Sequence, residues 1–256
     1  MIARRSRKEL ERMAAAGGIV AETLDLIEKN LTPGITTGEL DRIAERQIRK
    51  HEATPAFLGY RGFPASICVS LNNEVVHGIP SSEREVKDGD IVSVDIGAVY
   101  RGFYGDAART FAVGRVKPEA AKLLEVTKKA LMKGIEKCRP GNNLGDISAA
   151  IQRHVESNGF SVVRKYVGHG IGRRMHEDPP LPNFGKPGEG PVLKTGMVLA
   201  IEPMVNIGGY EVKTLDDQWT VVTEDGSLSA HFEHSVAVGA EEPDILTEIE
   251  GGLSLV

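Results

Sequence analysis

KDGDIVSVD at residues 87–95 and KTGMVLAIE at residues 194–202 share one design. Each begins with a charged turn, continues as an apolar run and ends on a carboxylate, Asp95 in the first copy and Glu202 in the second. An acidic residue at the end of such a run is costly to bury unless a cation or hydrogen-bond donors meet it there. The repeat therefore indicates two strands whose acids share one cation site.

The likeness continues downstream, where TFAVG at residues 110–114 resembles SVAVG at residues 235–239. An acid comes shortly before each copy, Asp106 before the first and Glu233 before the second. In each half, one predicted strand thus ends at an acid and the next predicted strand begins at an acid. In a two-fold arrangement of β-hairpins the four carboxylates would line one floor, which a multivalent metal makes tolerable. Taken singly, an Asp or Glu is in most cases a solvated or capping residue, and it is the repeated placement that favours a shared site.

The composition is that of an ordinary soluble globular chain. Its 256 residues are 41% hydrophobic and 26% charged, with a formal net charge of -5, so a substantial core needs no covalent staples. Two cysteines, Cys68 and Cys138, are too few for a disulfide framework, which favours a reducing compartment, the cytoplasm. The mild charge predicts no DNA partner, and the lack of a membrane-length apolar run predicts no membrane association. The basic segment 4–8 is either a solvated helix face or a contact with an anionic surface such as RNA.

Apolar spacing and breaker residues divide the chain into helix pairs and hairpins. Helical periods predict helices over residues 6–30, 36–51, 118–138 and 144–157, and alternation predicts a short hairpin over residues 66–80. The aromatic stretch 54–62 and the Pro- and Gly-rich stretch 179–191 are predicted loops. The order helix pair, acidic hairpin, helix pair, acidic hairpin predicts one pseudo-symmetric α+β domain over residues 1–256, with halves at about 1–114 and 115–240.

Two histidines complete the set of chemically active residues. His169 lies in the glycine-dense passage 166–172, and His176 follows Met175 shortly after it. Imidazole is a good ligand for a first-row divalent metal, although a lone histidine is usually structural. Together with the four acids, His169 makes five ligands. That number suits two metals with bridging carboxylates better than one tetrahedral ion.

Six short motifs occur along the chain, in the order NEVVHGIP at 73–80, DIG at 95–97, GD at 105–106, GHGIG at 168–172, IEPM at 201–204 and FEH at 232–234. In combination these motifs resemble the type I methionine aminopeptidases, a branch of the wider family that adopts the pita-bread fold. The likeness covers nearly the whole chain, without the zinc-binding N-terminal extension or the long insertion of other branches. It implies an α+β fold with a pseudo-two-fold antiparallel sheet and flanking helices.

The resemblance implies a metal-dependent aminopeptidase that removes the initiator methionine from nascent proteins when the second residue is small. Asp95 would chelate one divalent ion, His169 and Glu202 would bind a second, and Asp106 and Glu233 would bridge both. The choice among Mn, Fe, Co and Zn stays open, because availability as well as ligand type selects the ion. A metal-activated hydroxide would attack the first peptide bond, and Glu202 would carry its proton to the leaving amine.

The resemblance also implies the groups that hold the substrate, an N-terminal Met peptide or nascent polypeptide. His77 would hydrogen-bond the substrate amide and His176 would steady the oxyanion. Met175 stands where the family commonly has an aromatic residue, which makes the slot more flexible. A monovalent cation near Asn72, Glu74 and Ser229 and a contact with the ribosome surface are further expectations. The methionine pocket maps onto six residues, which core packing alone could also explain: Phe57, Tyr60, Phe63, Cys68, Met175 and Trp219.

Three other functions share parts of this pattern. A proline dipeptidase or aminopeptidase P uses the same ligand types but usually carries a separate N-terminal domain, for which Asp95 comes too early in the chain. A non-catalytic binding protein on the same fold would have lost ligands, whereas all five are present. A single-metal carboxylate hydrolase is the third alternative, and metal stoichiometry would separate it.

Overall fold

The computed structural model describes residues 2–248, which contain four α-helices. The first two helices begin with side-chain caps, since Ser6 and Glu9 form a capping box and the Thr36 side chain accepts the Glu39 N–H. All four helical predictions are confirmed within a few residues at each end. The bounds are α1 (Arg7–Asn30), α2 (Thr37–Lys50), α3 (Pro118–Ile135) and α4 (Leu144–Ser157).

The strands of residues 2–248 form four sheets. They are β1 (Thr54–Pro55), β2 (Cys68–Leu71), β3 (Glu74–Val76), β4 (Ile91–Tyr100), β5 (Phe103–Ala112), β6 (Ser161–Val162), β7 (Gly168–Gly170), β8 (Glu177–Leu181), β9 (Val198–Ile201), β10 (Met204–Asn206), β11 (Val212–Thr214), β12 (Val221–Thr223), β13 (Ser229–His231), β14 (His234–Val238) and β15 (Pro243–Ile245). A short 3-10 turn lies at Tyr60–Gly62 within the predicted aromatic loop. The stretch 179–191 is not wholly a loop, because its first residues belong to β8.

The first acidic pair lies on one long hairpin of β4 and β5. The strands pair from Ile91 opposite Ala112 to Tyr100 opposite Phe103, and β2 lies along the other edge of β4. The turn at Arg101 and Gly102 has two positive φ angles, 48° and 78°, as a two-residue hairpin turn of right-handed twist requires. Asp95 and Asp106 therefore lie in mid-strand, and the prediction that acids end and begin these strands is wrong for this half.

The second acidic pair lies on a five-stranded sheet of order β15-β14-β9-β7-β8. Glu202 follows β9 directly and Glu233 precedes β14, so the predicted placement of these acids at strand ends is correct here. The two strands pair antiparallel, with His234 opposite Ile201, but β10 to β13 intervene between them. The expectation of a simple hairpin in this half is therefore wrong. The intervening strands belong to two small sheets, β13-β10-β6 and β11-β12-β3.

The two acidic pairs meet because β5 runs beside the chain segment 231–235. The Glu233 N–H donates to the Ala108 carbonyl at 2.9 Å, and the Ala108 N–H donates back at 3.4 Å. One step along, the Ser235 hydroxyl donates to the Asp106 carbonyl at 2.8 Å and accepts its N–H at 3.1 Å. These bonds place Asp106 beside Glu233. The predicted division into halves near residue 114 stays a prediction.

The two faces of β4 have different surroundings: one face packs in the hydrophobic core and the other faces the site. Val92, Val94, Ile96 and Ala98 pack in the apolar cluster that contains α1 and α2 residues such as Leu24 and Leu40. Since alternate residues of a strand point to opposite faces, Asp95 faces away from these helices. Gly105 allows the close approach of α1, because a Cβ there would lie 2.7 Å from the Gly17 nitrogen. A second core joins α3 and α4 to β9, β10 and β14.

Candidate active site

Five side chains predicted as metal ligands converge from different elements. Asp95 comes from β4, Asp106 from β5 and His169 from β7, while Glu202 and Glu233 flank β9 and β14. Ligand atoms of Asp106, His169 and Glu233 lie within 4.8 Å of one another. His169 Nε2 lies 3.6 Å from a Glu202 carboxylate oxygen. The geometry thus brings together the residues that the sequence grouped, and their individual ligand roles stay predictions.

The orientation of His169 leaves one ring nitrogen available as a ligand. Its Nδ1 lies 2.9 Å from the Gly170 carbonyl oxygen, which can only accept a hydrogen bond. The proton therefore sits on Nδ1, and Nε2 presents its lone pair toward the carboxylates. Burial lowers the pKa of this imidazole to about 4, and nearby His176 contributes. A neutral imidazole fixed in this tautomer by a backbone carbonyl is the usual form of a metal-binding histidine.

Close, buried carboxylates dominate the electrostatics of the site. Burial raises the pKa of Asp95 to about 7. Burial also raises the pKa of Asp106 and Glu202 well above their ordinary values, and repulsion from Asp95 adds to both shifts. The pKa of Glu233 rises for the same two reasons, burial first and then its acidic neighbours. Burial and mutual repulsion thus favour the protonated acids, whereas a multivalent cation would let them ionise together.

Unpartnered buried atoms point to a group that the protein alone does not supply. Within residues 2–248, Asp95 Oδ1, Asp106 Oδ1 and Glu233 Oε1 are buried and have no hydrogen-bond partner. Buried polar oxygens are normally satisfied, so three such atoms around one space need an explanation. The carboxylate oxygens and the imidazole nitrogen present here are ligands that first-row divalent cations accept.

Every predicted pocket residue lies around the same cavity as the five ligands. The cavity measures about 160 Å³. Phe57, Phe63, Cys68 and Met175 are buried in one apolar cluster beside it, with Trp219 packed edge-on against Phe63 at 5.1 Å. Tyr60 completes this wall. Burial followed by repulsion from Asp95 raises the pKa of the Cys68 thiol well above its ordinary value, so it acts as an apolar wall.

The two non-ligand histidines, His77 and His176, also line the cavity. His176 is exposed, its Nδ1 lies 2.8 Å from the Tyr60 hydroxyl, and its ring lies 4.2 Å from that of His169. His77 follows β3 with φ at 61°, a left-handed conformation that is strained for a residue with a side chain. β3 thus ends at Val76, earlier than the predicted strand to Pro80. Tyr166 packs edge-on against the His77 ring at 5.6 Å.

Sequence reasoning missed three residues of this site. His231 is buried, with Nε2 at 3.7 Å from a Glu202 oxygen and 3.9 Å from a Glu233 oxygen. It precedes Glu233 by two positions, so alternation along an extended segment could have identified it. Arg61 lines the cavity and contributes to the lowered pKa of His176, after burial. For Tyr166 and Arg61 no local pattern gave a signal.

The residues expected near a monovalent cation also lie together. The Ser229 N–H donates to the Asn72 carbonyl at 2.9 Å, and Glu74 accepts the Leu71 N–H at 2.9 Å. The other Glu74 oxygen pairs with Arg84 at 2.6 Å. An arginine already neutralises the one carboxylate, so a cation here would depend on carbonyl oxygens. The cation stays a prediction.

Comparison with known proteins defines the class. The model of metallopeptidase family M24 matches residues 11–240, and the chain belongs to this family. Methionine aminopeptidases from Clostridium perfringens and Bacillus subtilis are 60% and 55% identical to it, over 98% and 97% of this chain and 100% of each relative. The crystal structure of methionine aminopeptidase from Thermotoga maritima covers 97% of this chain and 100% of its own, with TM-score 0.96 and 48% identity. Within family M24 the chain is thus a member of the methionine aminopeptidases.

A more distant likeness bears on the fold alone. Prolidase from Pyrococcus furiosus has TM-score 0.79 and 22% identity, and the match covers 66% of that chain. The predicted pita-bread fold is confirmed by both sets of neighbours, and the proline-peptidase alternative is not favoured. None of the helices within residues 2–248 is both long and apolar enough to span a bilayer.

Proposed function

We propose that this protein removes the N-terminal methionine from peptides and nascent proteins whose second residue is small. One observation carries the proposal: a small cavity joins a carboxylate and imidazole floor to an apolar, sulfur-containing wall. The floor suits a polar peptide bond, and the wall suits one unbranched apolar side chain. The high identity to methionine aminopeptidases over the full chain supports the same activity.

The floor has the donors for two divalent ions. Asp95 would bind one ion, His169 and Glu202 would bind the other, and the buried Asp106 and Glu233 would bridge both. When all four carboxylates are ionised they carry four negative charges, which two divalent ions would balance. Bound there, such ions would polarise the scissile carbonyl and lower the pKa of an attacking water. Mn, Fe, Co and Zn all accept these ligands.

Glu202 is the residue best placed to move protons. Its carboxylate follows β9 and lies between His169 and His231, with one oxygen 3.6 Å from the first and the other 3.7 Å from the second. One oxygen can thus face the metal while the other exchanges a proton. We assign Glu202 the transfer of a proton from water to the leaving amine, as a general base and then a general acid.

The two non-ligand histidines would orient the peptide bond. If the Tyr60 hydroxyl donates to His176 Nδ1, the ring proton lies on Nε2, which can donate to the carbonyl oxygen as negative charge develops on it. His77 is held in a strained conformation between Val76 and Gly78, and strain of this kind is concentrated at functional sites. We assign it a hydrogen bond to the substrate amide.

Hydrolysis of matched peptides tests the activity. Apoprotein loaded in turn with Mn, Fe, Co and Zn is expected to release methionine from Met-Ala-Ser, and to act far more slowly on Leu-Ala-Ser or on Met-Leu-Ser. Metal analysis of the active form is expected to give two ions per chain. Faster release of leucine than methionine would contradict the pocket assignment. If the protein cleaved no peptide with any of the four metals, the proposal that it is an enzyme would be wrong.

The cellular setting is inferred from the substrate. Nascent chains present their initiator methionine in the cytoplasm, and we place the protein there. A contact with the ribosome surface would suit this role, but the basic segment gives it little support. Arg4 donates to the Thr195 carbonyl and Arg5 pairs with Glu177, so these two cations are engaged within the protein.

A further inference from the structure

We propose that Arg5 is a positioning residue, which acts through Glu177 to fix the turn that presents Met175 and His176 to the cavity. The inference rests on the proposed aminopeptidase function. Arg5 lies before α1, and 172 residues separate it from Glu177 in sequence. Neither residue lines the cavity that holds the predicted ligands.

The pair is nearly buried and fully engaged. The Arg5 and Glu177 side chains are 9% and 11% exposed, and the guanidinium hydrogen-bonds Glu177 Oε2. The other carboxylate oxygen, Oε1, accepts the backbone N–H of Arg173 at 2.9 Å and of Arg174 at 3.1 Å. One oxygen of Glu177 therefore closes the turn, while the other ties it to the segment before α1.

Arg5 is itself fixed on both sides. Its N–H donates to the Gly196 carbonyl at 2.6 Å, in the turn before β9. Its guanidinium lies against the backbone of Gly172, where a Cβ would come within 2.0 Å of Nη2. The Gly172 carbonyl in turn accepts the Tyr104 N–H at 2.8 Å. The turn is thus held between β5 on one side and the segment before α1 on the other.

Two functional side chains depend on this turn. Met175 is 3% exposed in the pocket wall, and His176 stands beside His169. Among the described residues, the Tyr60 hydroxyl supplies the side-chain hydrogen bond to His176, whose ring is otherwise exposed. Loss of Arg5 would leave Glu177 Oε2 nearly buried and unpaired, a costly state that rotation of the carboxylate toward water would relieve. That rotation would release the turn and shift both side chains.

Kinetics of a small variant set tests this. Arg5→Ala is expected to lower kcat about 10- to 100-fold, because misplacement by about 1 Å can cost about 100-fold. Glu177→Gln is expected to lower kcat at least as much, since it weakens the turn directly. The double variant is expected to be no worse than Glu177→Gln alone, because the two residues act as one unit. Arg5→Lys is expected to restore part of the activity, since a lysine keeps one charged contact but loses the planar fork.

Arg4→Ala is the matched control. Arg4 is the exposed neighbour of Arg5, and its side chain donates to the Thr195 carbonyl at 2.8 Å, away from Glu177. This variant is expected to keep wild-type kcat. Melting temperature and metal content are measured for every variant, so that loss of folded or loaded protein is separated from misplacement. A fall in melting temperature without a fall in kcat at 25 °C would show a purely structural pair and overturn the proposal.

A spectroscopic readout makes the test independent of turnover. The side-chain resonances of His176 in ¹⁵N-histidine-labelled protein, assigned by their loss in His176→Ala, are expected to shift in Arg5→Ala and not in Arg4→Ala. Unshifted resonances in Arg5→Ala would overturn the proposal. If wild type cleaves no Met peptide, the proposed function fails, yet this comparison still decides whether Arg5 positions the turn.

Discussion

The hydrogen bond between Tyr60 and His176 gives the sharpest test of how the site orients its substrate. Tyr60→Phe removes only the hydroxyl that lies 2.8 Å from His176 Nδ1, while the stacked ring at 5.5 Å is retained. The change therefore leaves the pocket wall in place. If the Tyr60 hydroxyl is the donor, the substitution removes the partner that keeps the His176 ring proton on Nε2.

The expected fall in kcat follows from the free energy that this hydrogen bond contributes. A hydrogen bond of this kind contributes about 0.5–1.5 kcal/mol net, so Tyr60→Phe is expected to lower kcat roughly 2- to 13-fold. His176→Ala removes the donor itself and is expected to lower kcat about 100- to 1000-fold, as loss of one oxyanion donor does. KM is expected to change little in both, because the interaction strengthens only as the charge develops.

Steady-state hydrolysis of Met-Ala-Ser by metal-loaded protein is the assay, with metal content checked for each variant. His51→Ala is the control, because His51 pairs with Glu22 at the end of α2 and is outside the cavity. If His176→Ala kept kcat within about threefold of wild type, the role assigned to His176 would be refuted. A larger loss in Tyr60→Phe than in His176→Ala would refute the tautomer argument.

Three further outcomes are expected. Removal of bound metal is expected to lower the melting temperature by about 5–10 °C, since an ion present at 100 times its Kd stabilises the folded protein by about 2.7 kcal/mol. An unchanged melting temperature after chelation would contradict metal binding by the five predicted ligands. Gly97→Ala would place a Cβ 2.6 Å from Phe57 Cε1. Because overpacking costs about 1–3 kcal/mol, the substitution is expected to raise KM for Met-Ala-Ser at least about fivefold. An unchanged KM would count against Phe57 as part of the pocket wall. Cys138 is buried and burial raises its pKa to about 12, so iodoacetamide at pH 8 is expected to label it only after unfolding, which mass spectrometry of the labelled peptide would check.

Most of the local structure follows from the sequence alone, because helices and strands follow short-range periods. The four helices were predicted from apolar spacing and breaker residues, and the two acidic runs correctly indicated β4 and β9. The family motifs named the charged residues and His77 that gather at the cavity, since each motif carries an acid or a histidine. The strand bearing Asp95 was predicted to end at that acid, whereas β4 continues to Tyr100. Gly97 lies within this continuous strand, where the absence of a side chain allows Phe57 to pack closely.

Only the tertiary structure decided which strands and segments lie next to one another. The pairing of Ala108 with Glu233, the approach of His231 to Glu202, and the tie from Arg5 to Glu177 join residues far apart in the chain. A local pattern encodes the face and the period of an element but carries no information about its distant neighbour. The sequence therefore determined the fold class and the chemistry available to the site. The packing of β5 against the segment 231–235 decided that four acids share one floor, because buried backbone groups there find their partners only across that junction.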